Sequence, residues 1–390
     1  MTIEGGNTAG AVERIRLGMV GGGEGAFIGA VHRMAARLDD HYAFVAGALA
    51  STPDKAKRSG EALGLAADRI YPDFTAMAKA ETARRDGIEA VSIVTPNHMH
   101  APVARAFLAA GIHVICDKPL TTSLKEAQAL RAEVEKSGRI FALTHNYTGY
   151  PMVRQARDMV RAGELGKIRV VQVEYAQDWL TERLESTGQK QAEWRTDPAR
   201  SGAGGCIGDI GTHAYNLADF ITGLPLVELA AELTTFVPGR ALDDNVEIML
   251  RYANGARGQL WASQVAPGNE NGLMIRVYGE KGGLHWRQVD PNYLTHSPYG
   301  QPPRTIGRNA AGAGPAAARV SRIPSGHPEG YLEGFATIYS EVAQAILSAR
   351  AGKKPPPEVL FPTVEDGVKG VAFIEAAVAS SREGGRWVRL

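Results

Sequence analysis

The feature that most restricts the fold is a change of grammar part-way along the chain. Apolar strands alternate with helical segments up to about residue 147, whereas after Pro151 strands follow one another directly. Residues 15–20 (IRLGMV) are a short apolar run that ends in glycines and precedes a helical pattern through His32, Ala36 and Leu38, the form of a first β-α unit. A second strand is expected over 44–49. Thr52 then offers an N-cap hydroxyl and Pro53 a first helical residue for a helix over 54–63. Buried strands at 90–94 and 113–116 flank a helix over 101–110 that Gly111 stops. Ser123 and Glu126 make a capping box for a helix to about Lys136, and 140–144 supplies the next strand. Alternation of this kind builds a parallel, doubly wound sheet with helices on both faces.

Beyond Pro151, strands are expected at 168–176, 227–237, 246–252, 256–263 and 273–278, with Asn254-Gly255 as a two-residue hairpin signal between two of them. A Pro/Gly/Ala-rich stretch over 297–328 reads as a lid or an arm, and two helices, 329–348 and 364–381, close the chain. The 390 residues exceed one ordinary core. The expected architecture is therefore an α/β Rossmann domain over 1–147, with 1–13 as a flexible arm. An α+β domain over 148–390 follows, carrying a large, mostly antiparallel sheet with one open face.

Charge excludes two classes of partner. The 43 basic and 42 acidic residues leave a net charge of +1, with no basic run to follow a phosphate backbone or an anionic membrane, so neither nucleic acid nor membrane is expected. No apolar stretch is long enough to span a bilayer. The two cysteines, Cys116 and Cys206, are far apart in unlike contexts and do not suggest a disulfide framework, so a reducing cytoplasm is expected.

The glycines after the first strand carry the first chemical signal. Gly21, Gly23 and Gly25 lie between a strand and a helix, where the backbone approaches a pyrophosphate at a helix N-terminus. Amides through Phe27 and Ile28 extend that cradle. The spacing is irregular, with five residues between Gly23 and Gly29 where the usual fingerprint has two. No acid follows the second strand to accept the adenosine ribose. Ser51 and Thr52 stand there instead, with Lys55 and Arg58 able to meet a 2′-phosphate or simply to be a solvated helix face. NAD is the expected cofactor, and NADP stays open.

Two further signatures lie farther on. Thr95-Pro96-Asn97-His98-Met99-His100 and Cys116-Asp117-Lys118-Pro119-Leu120 end consecutive strands, where open α/β sheets bind ligands. The run Gly204-Gly205-Cys206-Ile207-Gly208-Asp209-Ile210-Gly211-Thr212-His213 follows Trp194-Arg195. In this order, these residues resemble the glucose-fructose oxidoreductase / inositol dehydrogenase / MocA family over nearly the whole chain. The resemblance implies that Lys118 bridges the nicotinamide ribose and the substrate hydroxyl, that His213 is the general base and that Asp209 supports it. It also implies a homotetramer or dimer. The chain departs from the family in its lengthened glycine loop, its missing ribose acid, and Asn216 where aspartate is frequent.

Physical chemistry supports the same roles. Hydride leaves a carbinol carbon only as its hydroxyl proton departs, and histidine titrates nearest neutrality. A lysine ammonium beside the oxygen stabilises the developing alkoxide. On an α-helix Asp209 and His213, four apart, would share a face, so the carboxylate could orient the imidazole. The cofactor set is completed by Thr95, Asn97, His100, Asp117, Asn146, Trp194 and Arg195. The substrate set is Lys118, Tyr147, Asp178, Asp209, His213 and His327. His98 and His100 lack a third ligand at informative spacing, so no metal is expected. Plainer readings stand beside these: Asp209 as an N-cap, His213 as a packed core histidine, Lys118 as a surface charge.

The expected function is oxidation of a secondary alcohol or anomeric carbon of a sugar or cyclitol, such as scyllo-inositol or L-glucose, by hydride transfer to NAD(P). The rival readings are an NAD-using glycoside hydrolase, told apart by release of a glycosyl group without net NADH, and a non-catalytic metabolite sensor, which has no need of a base. Reduction of a non-carbohydrate ketone uses the same three side chains.

Overall fold

The computed structural model describes residues 14–390; the arm expected over 1–13 lies outside the described residues. The first half runs β1 (Ile15–Gly21), α1 (Phe27–Leu38), β2 (Tyr42–Ala48), α2 (Pro53–Ala62), α3 (Phe74–Ala83), β3 (Ala90–Val94), α4 (His100–Ala109), β4 (His113–Cys116), α5 (Leu124–Ser137) and β5 (Phe141–Leu143). All five strands are parallel, in the order β2-β1-β3-β4-β5. The order reverses at β1, which opens a crevice at the carboxyl ends of β1 and β3. The apolar runs fill this sheet because both of its faces are covered: Leu17, Val91, Ile93, Val114 and Ile115 are fully buried. Pro53 opens α2 as expected, but the Thr52 hydroxyl makes no capping hydrogen bond. Ser123 accepts from the amide of Glu126 and Gly138, at φ 62°, ends α5. Helix α3, capped by Asp73, was not read from the sequence, because its alanines carry little apolar periodicity.

The second half contains α6 (Pro151–Arg161), β6 (Ile168–Ala176), α7 (Lys190–Arg195), α8 (Pro198–Ser201), α9 (Thr212–Thr222), β7 (Leu226–Thr234), β8 (Asn245–Tyr252), β9 (Arg257–Ser263), β10 (Gly272–Gly279), β11 (Gly282–Arg287), β12 (Tyr293–Pro298), β13 (Arg304–Gly307), α10 (Pro315–Arg319), α11 (Tyr331–Arg350), α12 (Val364–Arg382) and β14 (Val388–Arg389). Nine strands form one sheet in the order β13-β12-β11-β10-β6-β9-β8-β7-β14, antiparallel except where β6 meets β9. Its inner face packs under α6, α9 and α12 around Val173, Leu260, Ile275 and Trp286. The alternate residues Val170, Met249 and Tyr278 stay exposed on the other face, which the described residues of one chain leave uncovered.

Three expectations change. Asn254-Gly255 does join β8 to β9, but not as a two-residue turn. The amide of Gly255 donates to Tyr252 O, only Gly255 (φ 91°) is left-handed, and Tyr252 N pairs with Ala256 O. The loop is thus one residue longer and ends on a left-handed glycine. The 297–328 stretch is no free arm, since it contributes the end of β12, all of β13 and α10, and it is tied down by Arg308, whose amide donates to Asn292 O at 2.8 Å and whose guanidinium donates to Asn292 Oδ1 at 2.9 Å. Helix α11, finally, returns to the first sheet and buries Phe335, Ile338 and Tyr339 against α1. No helix among the described residues is long and apolar enough to cross a membrane.

Candidate active site

The crevice at the carboxyl ends of β1, β3 and β4 opens into a cavity of about 740 Å³, closed on its far side by α7 and α8. Gly21 (φ 79°) and Gly22 (φ 72°) adopt backbone that side chains resist. A Cβ on Gly29 would lie 2.3 Å from Gly22 Cα, so the distant third glycine still does the work of letting α1 approach the turn. A Cβ on Gly25 would meet only the Lys190 ammonium, at 3.6 Å. The turn therefore presents bare backbone to the cavity at the N-terminus of α1, a shape and polarity that fit a dinucleotide pyrophosphate.

Of the residues assigned to a cofactor, Gly21, Gly25, Ile28, Ser51, Thr95, Asn97, Asp117, Lys118, Trp194 and Arg195 line this cavity. Four do not. A Cβ on Gly23 would strike Leu49 O at 2.5 Å, so Gly23 packs backwards against the end of β2. Phe27 points outward and is 65% exposed. His100 is fully buried, its ring nitrogens against Pro119 O at 2.7 Å and Thr95 O at 3.0 Å, where it ties the loops after β3 and β4 together. Asn146 is buried, and its Nδ2 has no hydrogen-bond partner among the described residues.

Lys118 and Asp209 meet at the inner end of the cavity. The ammonium donates to Asp209 Oδ1 at 2.8 Å and to Asp209 O at 2.6 Å, which leaves one of its three donors for a ligand oxygen. The other carboxylate oxygen accepts from Gln264 Nε2 at 2.8 Å and lies 3.3 Å from Arg195 Nε. Burial alone would raise the Asp209 carboxyl, but the Lys118 and Arg195 cations and the hydrogen bonds from Lys118 and Gln264 outweigh it and hold the group well below the usual carboxylate range.

The expected Asp209–His213 pairing is corrected. No hydrogen bond joins the two among the described residues, because Ile207–Gly211 forms a π-helical turn before α9. Its wider winding removes the α-helical alignment of residues four apart, and the carboxylate turns to Lys118, Gln264 and Arg195 instead. His213 faces His145 instead, Nδ1 to Nδ1 at 3.4 Å, with the rings perpendicular at 88°. Burial and then Lys118 and His145 push the His213 imidazole well below its ordinary value, so it is neutral and able to accept a proton at neutral pH.

Among the substrate candidates, Tyr147 lies edge-on to His213, with centroids 5.0 Å apart. Its hydroxyl meets that of Tyr175 at 2.5 Å, and Tyr175 donates to Asn271 Oδ1 at 2.8 Å, which also accepts from Gln177 Nε2 at 2.8 Å. Asp178 turns away from this group and accepts from the amide of Gly268. His327 is misplaced by the sequence reading. It lines a separate cavity with Asn292 and Arg308, because the 297–328 stretch packs against β12 rather than over the site.

Gln264, His145, Tyr175, Gln177 and Asn271 were missed. The alternation of β6, which buries Val171, Val173 and Tyr175, could have placed Tyr175 and then Gln177 on the inner face. Nothing in sequence spacing points to Gln264 or His145.

The oxidoreductase family with an NAD-binding Rossmann fold matches residues 15–145, and the GFO/IDH/MocA C-terminal domain matches 153–285. An oxidoreductase from Sinorhizobium meliloti is 57% identical, with a TM-score of 0.89 over 97% of this chain and 100% of that one. An inositol dehydrogenase homologue from Azotobacter vinelandii, solved with NADH and myo-inositol, is 36% identical, with a TM-score of 0.91 over 97% and 98%. Levoglucosan dehydrogenase of Pseudarthrobacter phenanthrenivorans is 28% identical over 296 residues, 70% of this chain and 73% of that protein.

Proposed function

The chain belongs to the GFO/IDH/MocA family of NAD-binding oxidoreductases, and on that premise we propose that it oxidises a ring secondary alcohol of a cyclitol or pyranose, with scyllo-inositol, myo-inositol and L-glucose the first substrates to try. The observation that carries this reading is the Lys118–Asp209 pair at the inner end of the cofactor cavity, beside a neutral His213 and a wall of hydroxyl and amide groups. A substrate rich in hydroxyls fits such a wall, since each buried polar group needs a partner. The myo-inositol bound by the Azotobacter homologue supports the cyclitol class.

In this reading Lys118 aims its remaining donor at the reacting oxygen and steadies the developing alkoxide. Asp209, held by Gln264, fixes the ammonium. His213 takes the hydroxyl proton at Nε2, since its Nδ1 faces His145. The nicotinamide, when bound against Thr95, Asp117 and Lys118, supplies the acceptor for hydride. The uncovered face of the nine-stranded sheet, with Met249 and Tyr278 exposed, supports a homodimer or homotetramer that buries it.

The test is a screen at the NADH absorbance of cyclitols, aldoses and sugar acids with NAD and with NADP. The expected result is turnover on a cyclitol or pyranose that Lys118→Ala and His213→Ala abolish. No turnover across a broad panel, or turnover indifferent to both substitutions, overturns the reading. Light scattering in solution checks the oligomer, and a monomer overturns that part alone.

A further inference from the structure

We infer that His145 is the positioning residue for His213, setting its tautomer and accepting the hydrogen bond of its imidazolium in place of the carboxylate that would ordinarily do so. The inference deepens the proposed reaction and rests on His213 being its base.

The observations are geometric. Among the described residues, His213 Nδ1 has one hydrogen-bond partner, His145 Nδ1 at 3.4 Å. Both rings are buried. The edge of Tyr147 at 5.0 Å and the ring of Tyr175 at 6.2 Å hold the His213 imidazole in place. His145 is itself fixed from its backbone: its amide donates to Leu143 O at 2.9 Å, and its carbonyl accepts from the Thr148 hydroxyl at 2.9 Å. Asp209 makes no hydrogen bond to either ring among the described residues; its carboxylate oxygens accept from Lys118 and Gln264.

Two neutral imidazoles that meet nitrogen to nitrogen admit one arrangement at a time, a donor on one ring and a lone pair on the other. A base that accepts at Nε2 must carry its proton on Nδ1, so His213 donates and His145 accepts, which places the His145 proton on Nε2. When the substrate hydroxyl gives its proton to His213 Nε2, the Nδ1–H bond to His145 becomes charge-assisted and strengthens. The groups that act on the pair are Lys118, which opposes positive charge on both rings, Asp117, which favours it on His145, and Asp209, which favours it on His213. A second histidine supports imidazolium less than a carboxylate would, so the base stays neutral well into the acid range.

The experiment uses the full chain with bound NADH and reads the ring ¹⁵N signals of His213 together with the pH profile of turnover. In the unaltered protein His213 carries its proton on Nδ1. His145→Ala releases that preference and lowers kcat about 10- to 100-fold, the range expected when an imidazole loses its orienting partner, while the Kd for NADH stays within about twofold. His145→Asn, which keeps an acceptor, restores part of kcat. His145→Asp moves the acid limb of kcat/KM to higher pH. A His213 protonated on Nε2 in the unaltered protein, or a His145→Ala variant with full kcat and an unmoved acid limb, overturns the inference. Turnover that survives His213→Ala overturns the base assignment instead, and the ¹⁵N spectrum still decides the pairing on its own.

Discussion

The two ends of the cavity are built from different materials. At the outer end the glycine turn of β1 and α1 offers backbone: Gly21 and Gly22 take left-handed conformations and Gly29 lets the helix close in. The binding surface there depends on what is absent from the side chains. At the inner end, Lys118 after β4, Asp209 in the π-helical turn, Gln264 after β9, His213 on α9 and His145 after β5 meet as partly buried charges and buried rings. A backbone site tolerates changes that leave the turn intact, whereas a cluster of buried charges loses its arrangement when one member goes, because the partner left behind is uncompensated.

The sharpest break in that comparison is Lys118→Met. It leaves the partly buried Asp209 carboxylate beside only Arg195 and Gln264, and the expected loss of turnover is roughly 10³-fold or more. Lys118→Met combined with Asp209→Asn recovers stability, but not activity, in a thermal melt. A destabilised single variant with ordinary kcat would show that the pair is structural only.

Gly29→Ala attacks the other end. Its Cβ would lie 2.3 Å from the Gly22 Cα, the turn must open, and NADH affinity measured by fluorescence is expected to fall about 10-fold or more, equivalent to roughly 1.4 kcal/mol. The Lys118–Asp209 pair, reported by the acid limb of stability, should be unchanged.

Acid separates the ends by titration. Asp209 has a depressed carboxyl, so its contribution is fully present above its unfolded value, about 3.9, and is lost as pH falls below that. His145, lowered to about 3 by burial and by Lys118, likewise contributes above about 6.5 and loses that contribution as pH falls. Denaturant melts from pH 7 to pH 3 should show Asp209→Asn flattening the limb below about pH 4 and His145→Ala flattening the part between about pH 6.5 and 4. Curves parallel to the unaltered protein would remove both groups from the account.

The smallest effect is expected from Gln264→Ala. One charge-assisted hydrogen bond to Asp209 is lost while Lys118 and Arg195 remain, and a fall in kcat of about 3- to 10-fold, with NADH binding unchanged, is expected from so partial a change. A loss as large as that of Lys118→Met would make Gln264 the main holder of the carboxylate.

The legibility of the chain follows the same division. Strands 90–94, 113–116 and 168–176 agree with β3, β4 and β6 to the residue, because an apolar run or an alternating one bounded by glycine or polar residues is a local property. The glycine turn was visible for the same reason, and the family order placed Lys118, Asp209 and His213 near one another. The irregular spacing to Gly29 was not interpretable, since which glycine lies under the helix depends on how the loop folds. The 297–328 stretch looked like an arm because the strand residues it pairs with, β11 and 293–296 of β12, lie outside it.

The amino-acid sequence by itself determined the parallel first sheet, the strand-rich second half and the glycine turn, all of which are written in local pattern, and it put forward Lys118, Asp209 and His213 as candidates for the chemistry. The tertiary structure alone decided which of those side chains touch. A single π-helical turn takes Asp209 away from His213 and gives it to Lys118, and the end of β5 brings His145 to the vacated nitrogen. Contacts between groups more than sixty residues apart are set by packing of whole elements, and a hydrogen bond that needs a fraction of an ångström in placement is not encoded in any one segment.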